Sequence, residues 1–182
     1  MNTANKLTIL RVVMIPAFLL VLYLDVPGAN YWALAIFAAA SITDTLDGYI
    51  ARHYNQITDF GKFMDPLADK CLVTAAMLWF VEVGQMPAWA LLVVIVREFG
   101  VSGLRMVAAD KGRVIAAGWS GKVKTTLQIV GTAAIFLTDI LGWPMVVQTV
   151  SGWAMTLITL YSGFDYMKRN WDIVADGATS KK

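Results

Sequence analysis

Four aspartates stand in two closely spaced pairs in the first half of the chain. Asp44 and Asp47 form one pair, and Asp65 and Asp69 form the other. Both pairs lie in or beside strongly apolar sequence, where an ionised carboxylate is costly unless it is ion-paired or bound to a metal. Packing does not explain four such acids, so we interpret them as metal ligands. Four oxygen-donor side chains suit Mg²⁺ or Mn²⁺, and two such cations would balance their charge.

Helical spacing gives the first pair a distinctive surface. If residues 41–52 form a helix, Asp44, Asp47 and Arg52 share one face, with Gly48 and Ala51 at its middle. That face offers two oxygen donors, one cation and little side-chain bulk between them. Gly48 would let a pyrophosphate approach the helix backbone, and Arg52 could pair with it. The alternative for Gly48 is helix packing, which is common in membrane spans.

The second pair also shares a helical face, because Asp65 and Asp69 are four residues apart. The chain has one histidine and one cysteine, so no zinc-binding set competes with the acids. One acid would also have to accept a proton from an attacking hydroxyl. On physical grounds either Asp65 or Asp69 could take this role.

The whole stretch carries a defined pattern. It reads Asp, two residues, Asp-Gly, two residues, Ala-Arg, eight residues, Gly, three residues, Asp, three residues, Asp. This pattern resembles the signature of the CDP-alcohol phosphatidyltransferase family at every defined position. The resemblance implies that the last aspartate, Asp69, is both metal ligand and general base. It further implies that Thr58, in the loop before Gly61, contacts the CDP moiety.

The opening NKLT element resembles the same family. The resemblance implies that Asn5 and Thr8 also contact CDP-diacylglycerol. The alternative is that these two residues cap the start of the first helix.

Composition predicts an all-α integral membrane protein. Of the 182 residues, 58% are hydrophobic and 15% are charged, which is too apolar for a soluble domain. We expect one domain, 1–182, with a short polar N-terminal juxtamembrane segment and a polar tail over 168–182. The apolar runs predict six retained spans, the third with Asp65 and Pro66 in its first turn: residues 7–24, 31–54, 62–83, 88–109, 121–141 and 145–167.

Basic residues are distributed on one side only. The ends of the first, third and fifth spans and the connections that follow them carry Asp25, Glu82 and Asp139 but neither Lys nor Arg, so both termini are predicted to be cytoplasmic. The acid pairs then lie in the cytoplasmic third of the bilayer, as do Arg97, Arg105 and Lys122. This arrangement predicts a multi-pass cell-membrane protein whose polar cavity faces the cytoplasm at headgroup depth.

Two further stretches suggest the acceptor. VREFGVSGLR at 96–105 and SGKVKTTLQ at 120–128 resemble the bacterial phosphatidylglycerophosphate synthases. The implied reaction joins CDP-diacylglycerol and sn-glycerol 3-phosphate and releases CMP. Arg97, Arg105 and Lys122 would hold the acceptor's dianionic phosphate. The family resemblance also implies a homodimer; no nucleic-acid partner is expected.

Several alternatives stay open at this point. Arg97 could form a salt bridge with Glu98 or a motif acid, and Arg105 and the Lys122/Lys124 pair could anchor the cytoplasmic side. The acceptor could instead be inositol phosphate or serine. A divalent-cation transporter is a different class, but the extracytoplasmic halves of the spans carry almost no ionisable groups. A purely structural membrane protein would leave the acids unexplained.

Overall fold

The structure is a computed structural model. It describes residues 3–24, 26–53, 59–116, 118–173 and 175, except for the side chains of residues 3, 4, 47–49, 51, 52, 59–63, 65, 66 and 69. This part of the chain is helical without strands, as predicted, and residues 171–173 add a short helical segment at its end. The six long helices are α1 (Thr3–Tyr23), α2 (Ala29–His53), α3 (Asp59–Glu82), α4 (Ala88–Asp110), α5 (Trp119–Leu141) and α6 (Met145–Arg169).

Glycine and proline separate the last two helices. Gly142 follows α5 in the left-handed region, with φ 66°, and its N–H bonds to the carbonyl of Thr138. This conformation is easy for glycine and satisfies a carbonyl that the helix end would leave open. Pro144 then precedes Met145, the first residue of α6. The fixed φ of proline suits the entry to a helix.

Four helices (α1, α2, α3 and α5) begin earlier than the sequence predicted, and the differences at α3 and α1 alter specific expectations. α3 begins at Asp59 instead of residue 62, so Pro66 is its eighth residue and does not lie in the first turn. An acidic residue such as Asp59 is favourable near the start of a helix. α1 begins at Thr3, and the polar residues there continue the helix without forming a separate juxtamembrane segment, because polarity alone does not end a helix. Asn5 and Thr8 therefore lie inside α1, so the alternative that these two residues cap the start of the first helix is wrong.

Phenylalanine rings form the centre of the core. Phe18 of α1 packs edge-on to Phe136 of α5 with ring centroids 5.9 Å apart. Phe80 of α3 lies 5.0 Å from Phe136, and Phe37 of α2 lies 6.4 Å from Phe18. All four rings are buried. The helices are thus held together by apolar packing at the end of the bundle away from the two aspartate pairs.

The outer surface is that of a membrane-associated protein. Within the described residues, α1 (over Asn5–Tyr23) and α5 (Trp119–Leu141) are the helices long and apolar enough to be candidate spans. Large apolar side chains also cover the outside of the bundle, which is unusual for a soluble monomer. Those at least 62% exposed include Val96, Phe99, Met106, Val146 and Phe164.

Candidate active site

Charged residues collect at the end of the bundle opposite the phenylalanine core. Consecutive helices run in opposite directions, so the C-terminal halves of α2, α4 and α6 meet the N-terminal halves of α1, α3 and α5. Cross-helix contacts join these halves, including a hydrogen bond of 2.8 Å from Lys70 Nζ of α3 to Ser102 Oγ of α4. The predicted convergence of polar helix ends is therefore present in the structure.

Asp44 is the motif acid whose side chain the structure describes. Its Oδ1 lies 2.6 Å from Nη1 of Arg11 on α1, and the Asp44 side chain is 40% exposed whereas Arg11 is fully buried. An arginine in such a setting needs a carboxylate partner, because an uncompensated buried charge is costly. Asp44 is thus the counter-ion of a buried guanidinium and still presents an accessible carboxylate.

Arg11 continues a polar face on α1. Asn5, Thr8 and Arg11 recur at every third residue and are all at most 9% exposed. α1 packs against both α2 and α3, the two helices that carry the aspartate pairs. Sequence analysis did not single out Arg11 and missed its contact with Asp44. The available signal was a charge inside an apolar run, in helical phase with Thr8.

The other motif acids are placed by their backbone. Asp47 lies in α2, and Asp65 and Asp69 lie in α3, which packs against α2. Both acid pairs are therefore helical, as predicted. The side chains of these three acids lie outside the described part of the structure. The same holds for Arg52 and for the side-chain surroundings of Gly48, and Thr58 lies outside it entirely. Their ligand and base roles stay predictions.

The donor set fits a hard divalent cation. Among the described side chains no three His, Cys, Asp or Glu residues come together, and Asp44 alone of the four motif acids belongs to that part. Asp44 presents an exposed carboxylate, and the other three motif positions are aspartates as well. Carboxylate oxygens are the ligands that Mg²⁺ and Mn²⁺ prefer.

A second cluster lies where α4, α5 and α6 meet. Arg97 donates from Nη1 to Glu98 Oε1 at 2.9 Å and from Nη2 to Ser162 Oγ at 2.7 Å. The same Glu98 oxygen lies 2.5 Å from Nζ of Lys124. All three charged side chains are mostly buried. The Arg97–Glu98 salt bridge considered as an alternative is therefore present, and Glu98 also pairs with Lys124.

Arg105 and Lys122, the other predicted acceptor residues, are both exposed. Arg105 donates from Nε to the hydroxyl of Tyr166 at 2.9 Å, and its guanidinium carbon lies 5.4 Å from the centroid of that ring. Lys122 lies two residues before the buried Lys124, which places the two lysines on opposite faces of α5. The lysine that contacts Glu98 is thus Lys124, which sequence reasoning treated only as a possible anchor.

Oxygen donors beside clustered cations, at one end of a membrane-associated helical bundle, are typical of enzymes that act on phosphate groups at a membrane. A sequence model of the family described as CDP-alcohol phosphatidyltransferase matches residues 1–161. The chain belongs to this family.

Named relatives match almost the whole chain. A Bacillus subtilis protein named CDP-diacylglycerol–glycerol-3-phosphate 3-phosphatidyltransferase is 38% identical over 94% of this chain and 96% of its own length. An Escherichia coli protein of the same name is 38% identical over 91% of this chain and 93% of its own length. A Mycobacterium tuberculosis protein named "Probable phosphatidylglycerophosphate synthase" is 42% identical over 92% of this chain and 81% of its own length.

Proposed function

We propose that this chain transfers the phosphatidyl group of CDP-diacylglycerol to sn-glycerol 3-phosphate, giving phosphatidylglycerophosphate and CMP. The observation that carries the proposal is that relatives named for this reaction match 91% to 94% of the chain. The acid-bearing helices α2 and α3 and the basic ends of α4 and α5 support it, because both substrates of the reaction carry phosphate.

The acids would form the donor side of the site. Asp44, Asp47, Asp65 and Asp69 are proposed to hold two divalent cations, Mg²⁺ or Mn²⁺, which when bound would neutralise charge on the pyrophosphate. Arg11 would hold Asp44 in place through the ion pair at 2.6 Å.

CDP-diacylglycerol would lie against α1 and α2. Gly48 and Arg52 are proposed to contact its pyrophosphate, and Asn5, Thr8 and Thr58 its CDP moiety. The buried setting of Asn5 and Thr8 supports this role, because both face a part of the bundle that also holds Asp44.

Arg97, Arg105 and Lys122 are proposed to hold the phosphate of the acceptor. The cluster around Glu98 holds two mostly buried cations, Arg97 and Lys124, and cations grouped in this way suit a dianion. Nε of Arg97 has no hydrogen-bond partner within the described part of the chain. One donor of this guanidinium would therefore be available for a ligand after a small side-chain shift.

The proposed reaction is an in-line displacement at the phosphorus that carries diacylglycerol. The acceptor hydroxyl oxygen forms a bond to this phosphorus, and the bond from phosphorus to the CMP oxygen breaks. The electron pair of that bond leaves with CMP. The hydroxyl proton passes to the carboxylate of Asp69, which would act as the general base.

We also propose that all six helices span the cell membrane, with both termini and the active site on the cytoplasmic side. At about 1.5 Å per residue the helices are about 32 to 38 Å long, enough to cross a hydrocarbon core of about 30 Å. The one-sided distribution of Lys and Arg supports the orientation. A homodimer is proposed on the family resemblance alone.

The test is CMP release by the purified protein in detergent micelles that contain CDP-diacylglycerol. We expect release that requires sn-glycerol 3-phosphate and either Mg²⁺ or Mn²⁺, and that stops with excess chelator. Inositol phosphate and serine are tested in parallel. Release with inositol phosphate or serine but not with glycerol 3-phosphate would keep the family chemistry and overturn the named acceptor. No release with any alcohol would overturn the reaction itself.

A further inference from the structure

The C-terminal half of α6 and the residues after it contact successive arginines of α4 and of the α4–α5 connection. Ser162 contacts Arg97 and Tyr166 contacts Arg105, both on α4, and Asp172, just beyond α6, forms an ion pair with Arg113 in the connection. Each contact comes from a residue beyond 161, where the match to the family ends. The contacting residues of α6 are thus outside the part of the chain that the family signature covers.

Ser162 fixes the head of Arg97. Its fully buried hydroxyl oxygen accepts a hydrogen bond from Nη2, while Nη1 is held by Glu98 on the other side. The stem of Arg97 lies against Gly163, because a Cβ added at this glycine would be 3.1 Å from Cγ of Arg97. The α6 backbone therefore approaches closely, and the guanidinium is held at two nitrogens and along its stem.

Tyr166 fixes the guanidinium of Arg105 in a similar way. The tyrosine is 5% exposed, so its ring is fixed by packing against α4 and the end of the bundle. Its hydroxyl accepts from Nε of Arg105, and its ring lies under the guanidinium. An exposed arginine would otherwise sample many rotamers. Tyr166 restricts Arg105 through two contacts that require a particular orientation of the guanidinium plane.

We propose that Ser162 and Tyr166 are positioning residues for the acceptor phosphate. This inference rests on the proposed function, in which Arg97 and Arg105 hold that phosphate. Arginine recognises phosphate through a planar fork, so affinity depends on the orientation of the guanidinium as well as on its charge. Ser162 and Tyr166 set that orientation from α6 and do not themselves touch the substrate.

Two substitutions test the proposal, each with a matched control on the same helix. Ser162→Ala removes the oxygen that accepts from Arg97, and Ser151→Ala makes the same change at a half-buried serine. Tyr166→Phe removes the hydroxyl and keeps the ring, and Tyr161→Phe makes the same change at an exposed tyrosine. Tyr166→Leu then removes the ring contact as well.

The measurements are kcat and the KM of each substrate, from CMP release at fixed metal concentration. We expect the KM for glycerol 3-phosphate to rise about three- to tenfold in Ser162→Ala and Tyr166→Phe, and further in Tyr166→Leu. The KM for CDP-diacylglycerol should stay within about twofold of wild type, because that substrate binds elsewhere. Both control variants should behave as wild type.

If Ser162 and Tyr166 had a purely structural role, the substitutions would change the KM values of both substrates together, or would lower the amount of folded enzyme and leave both KM values unchanged. Each of these results would overturn the proposal. Unchanged kinetics in both variants would overturn it as well. Tyr166→Phe tests it even if Ser162→Ala fails to fold, since it removes one oxygen next to an exposed arginine. A wild-type enzyme that releases no CMP with glycerol 3-phosphate would instead contradict the proposed function.

Discussion

Arg11 and Asp44 are joined across α1 and α2 by an ion pair in which Nη1 lies 2.6 Å from Oδ1. The arginine is fully buried and the aspartate is partly exposed, so the Asp44 carboxylate contacts the interior of the bundle and is also accessible from outside. Toward the bundle it compensates the only charge that α1 places inside the described core. Toward the outside it presents the carboxylate that we propose as a metal ligand. This dual position distinguishes Asp44 from an acid that serves as a ligand alone.

Asp44→Asn is expected to abolish turnover and also to destabilise the fold. The amide keeps the size and one oxygen but removes the charge that compensates Arg11. Breaking a buried ion pair costs about 3–5 kcal/mol, and the exposure of Asp44 reduces this to about 1–3 kcal/mol. CMP release and thermal unfolding in detergent micelles measure the two effects.

The control for this substitution is Asp139→Asn. Asp139 lies at the phenylalanine end of the bundle, where it accepts hydrogen bonds from the side chains of Gln85 and Gln148. It should keep full turnover, because it is far from the proposed site along α5. An active Asp44→Asn enzyme would contradict the metal site, and a variant as stable as wild type would contradict the counter-ion role.

Substitutions of the remaining motif acids should differ in their effect on substrate binding. Asp47→Asn, Asp65→Asn and Asp69→Asn are each expected to reduce CMP release to near background while the protein stays folded. Asp69→Asn should still bind CDP-diacylglycerol, because its main loss would be the base that accepts the hydroxyl proton. Binding of labelled CDP-diacylglycerol in the presence of Mg²⁺ gives the comparison. If Asp69→Asn loses binding as fully as Asp65→Asn, the special role of Asp69 is unsupported.

Arg97→Lys is expected to be harmful although it conserves charge. A lysine presents a compact point charge and lacks the planar fork whose two terminal nitrogens contact Glu98 and Ser162. Loss of a charge-assisted contact corresponds to about 1.5–3 kcal/mol, so the KM for glycerol 3-phosphate should rise on the order of tenfold or more. The control is Arg113→Lys, at an exposed arginine in the α4–α5 connection. Equal kinetics for Arg97→Lys and wild type would exclude Arg97 from the acceptor site.

The order and helicity of the chain follow from its apolar runs, and the pairing of the acids follows from their spacing. The partners across helices do not follow from either. Whether Arg11 meets Asp44, or Arg97 meets Ser162, depends on how each helix is rotated and shifted against its neighbour. Hydropathy and charge count carry little information on that rotation. The same reason explains why Lys122 was preferred to Lys124, since both lie in the same polar stretch and only packing buries one of them.

The two lysines of α5 should therefore give different phenotypes. Lys124→Ala removes a buried positive charge beside Arg97 and Glu98 and, with it, one link between α4 and α5. We expect a loss of about 1–3 kcal/mol in stability together with weaker acceptor binding. Lys122→Ala removes an exposed charge and should raise the KM for glycerol 3-phosphate without lowering the unfolding temperature. If Lys122→Ala changes both substrates' KM values together, Lys122 is a general anchor of the membrane surface.

The orientation of the bundle gives the last prediction. Both ends of the chain, and the connection that holds Lys111 and Arg113, are proposed to be cytoplasmic, whereas the turn at Gly28 is proposed to be extracytoplasmic. Loops rich in Lys and Arg are retained in the cytoplasm, and the α1–α2 turn carries neither residue. A reporter fused after Lys182 or inserted at residues 111–113 should therefore read cytoplasmic. One inserted near Gly28 should read extracytoplasmic, and a Gly28 insertion that still releases CMP shows that the fold survives. The opposite pattern would place the aspartates and the arginines on the wrong side of the membrane for a cytoplasmic acceptor, and the proposed reaction would lose its access to sn-glycerol 3-phosphate.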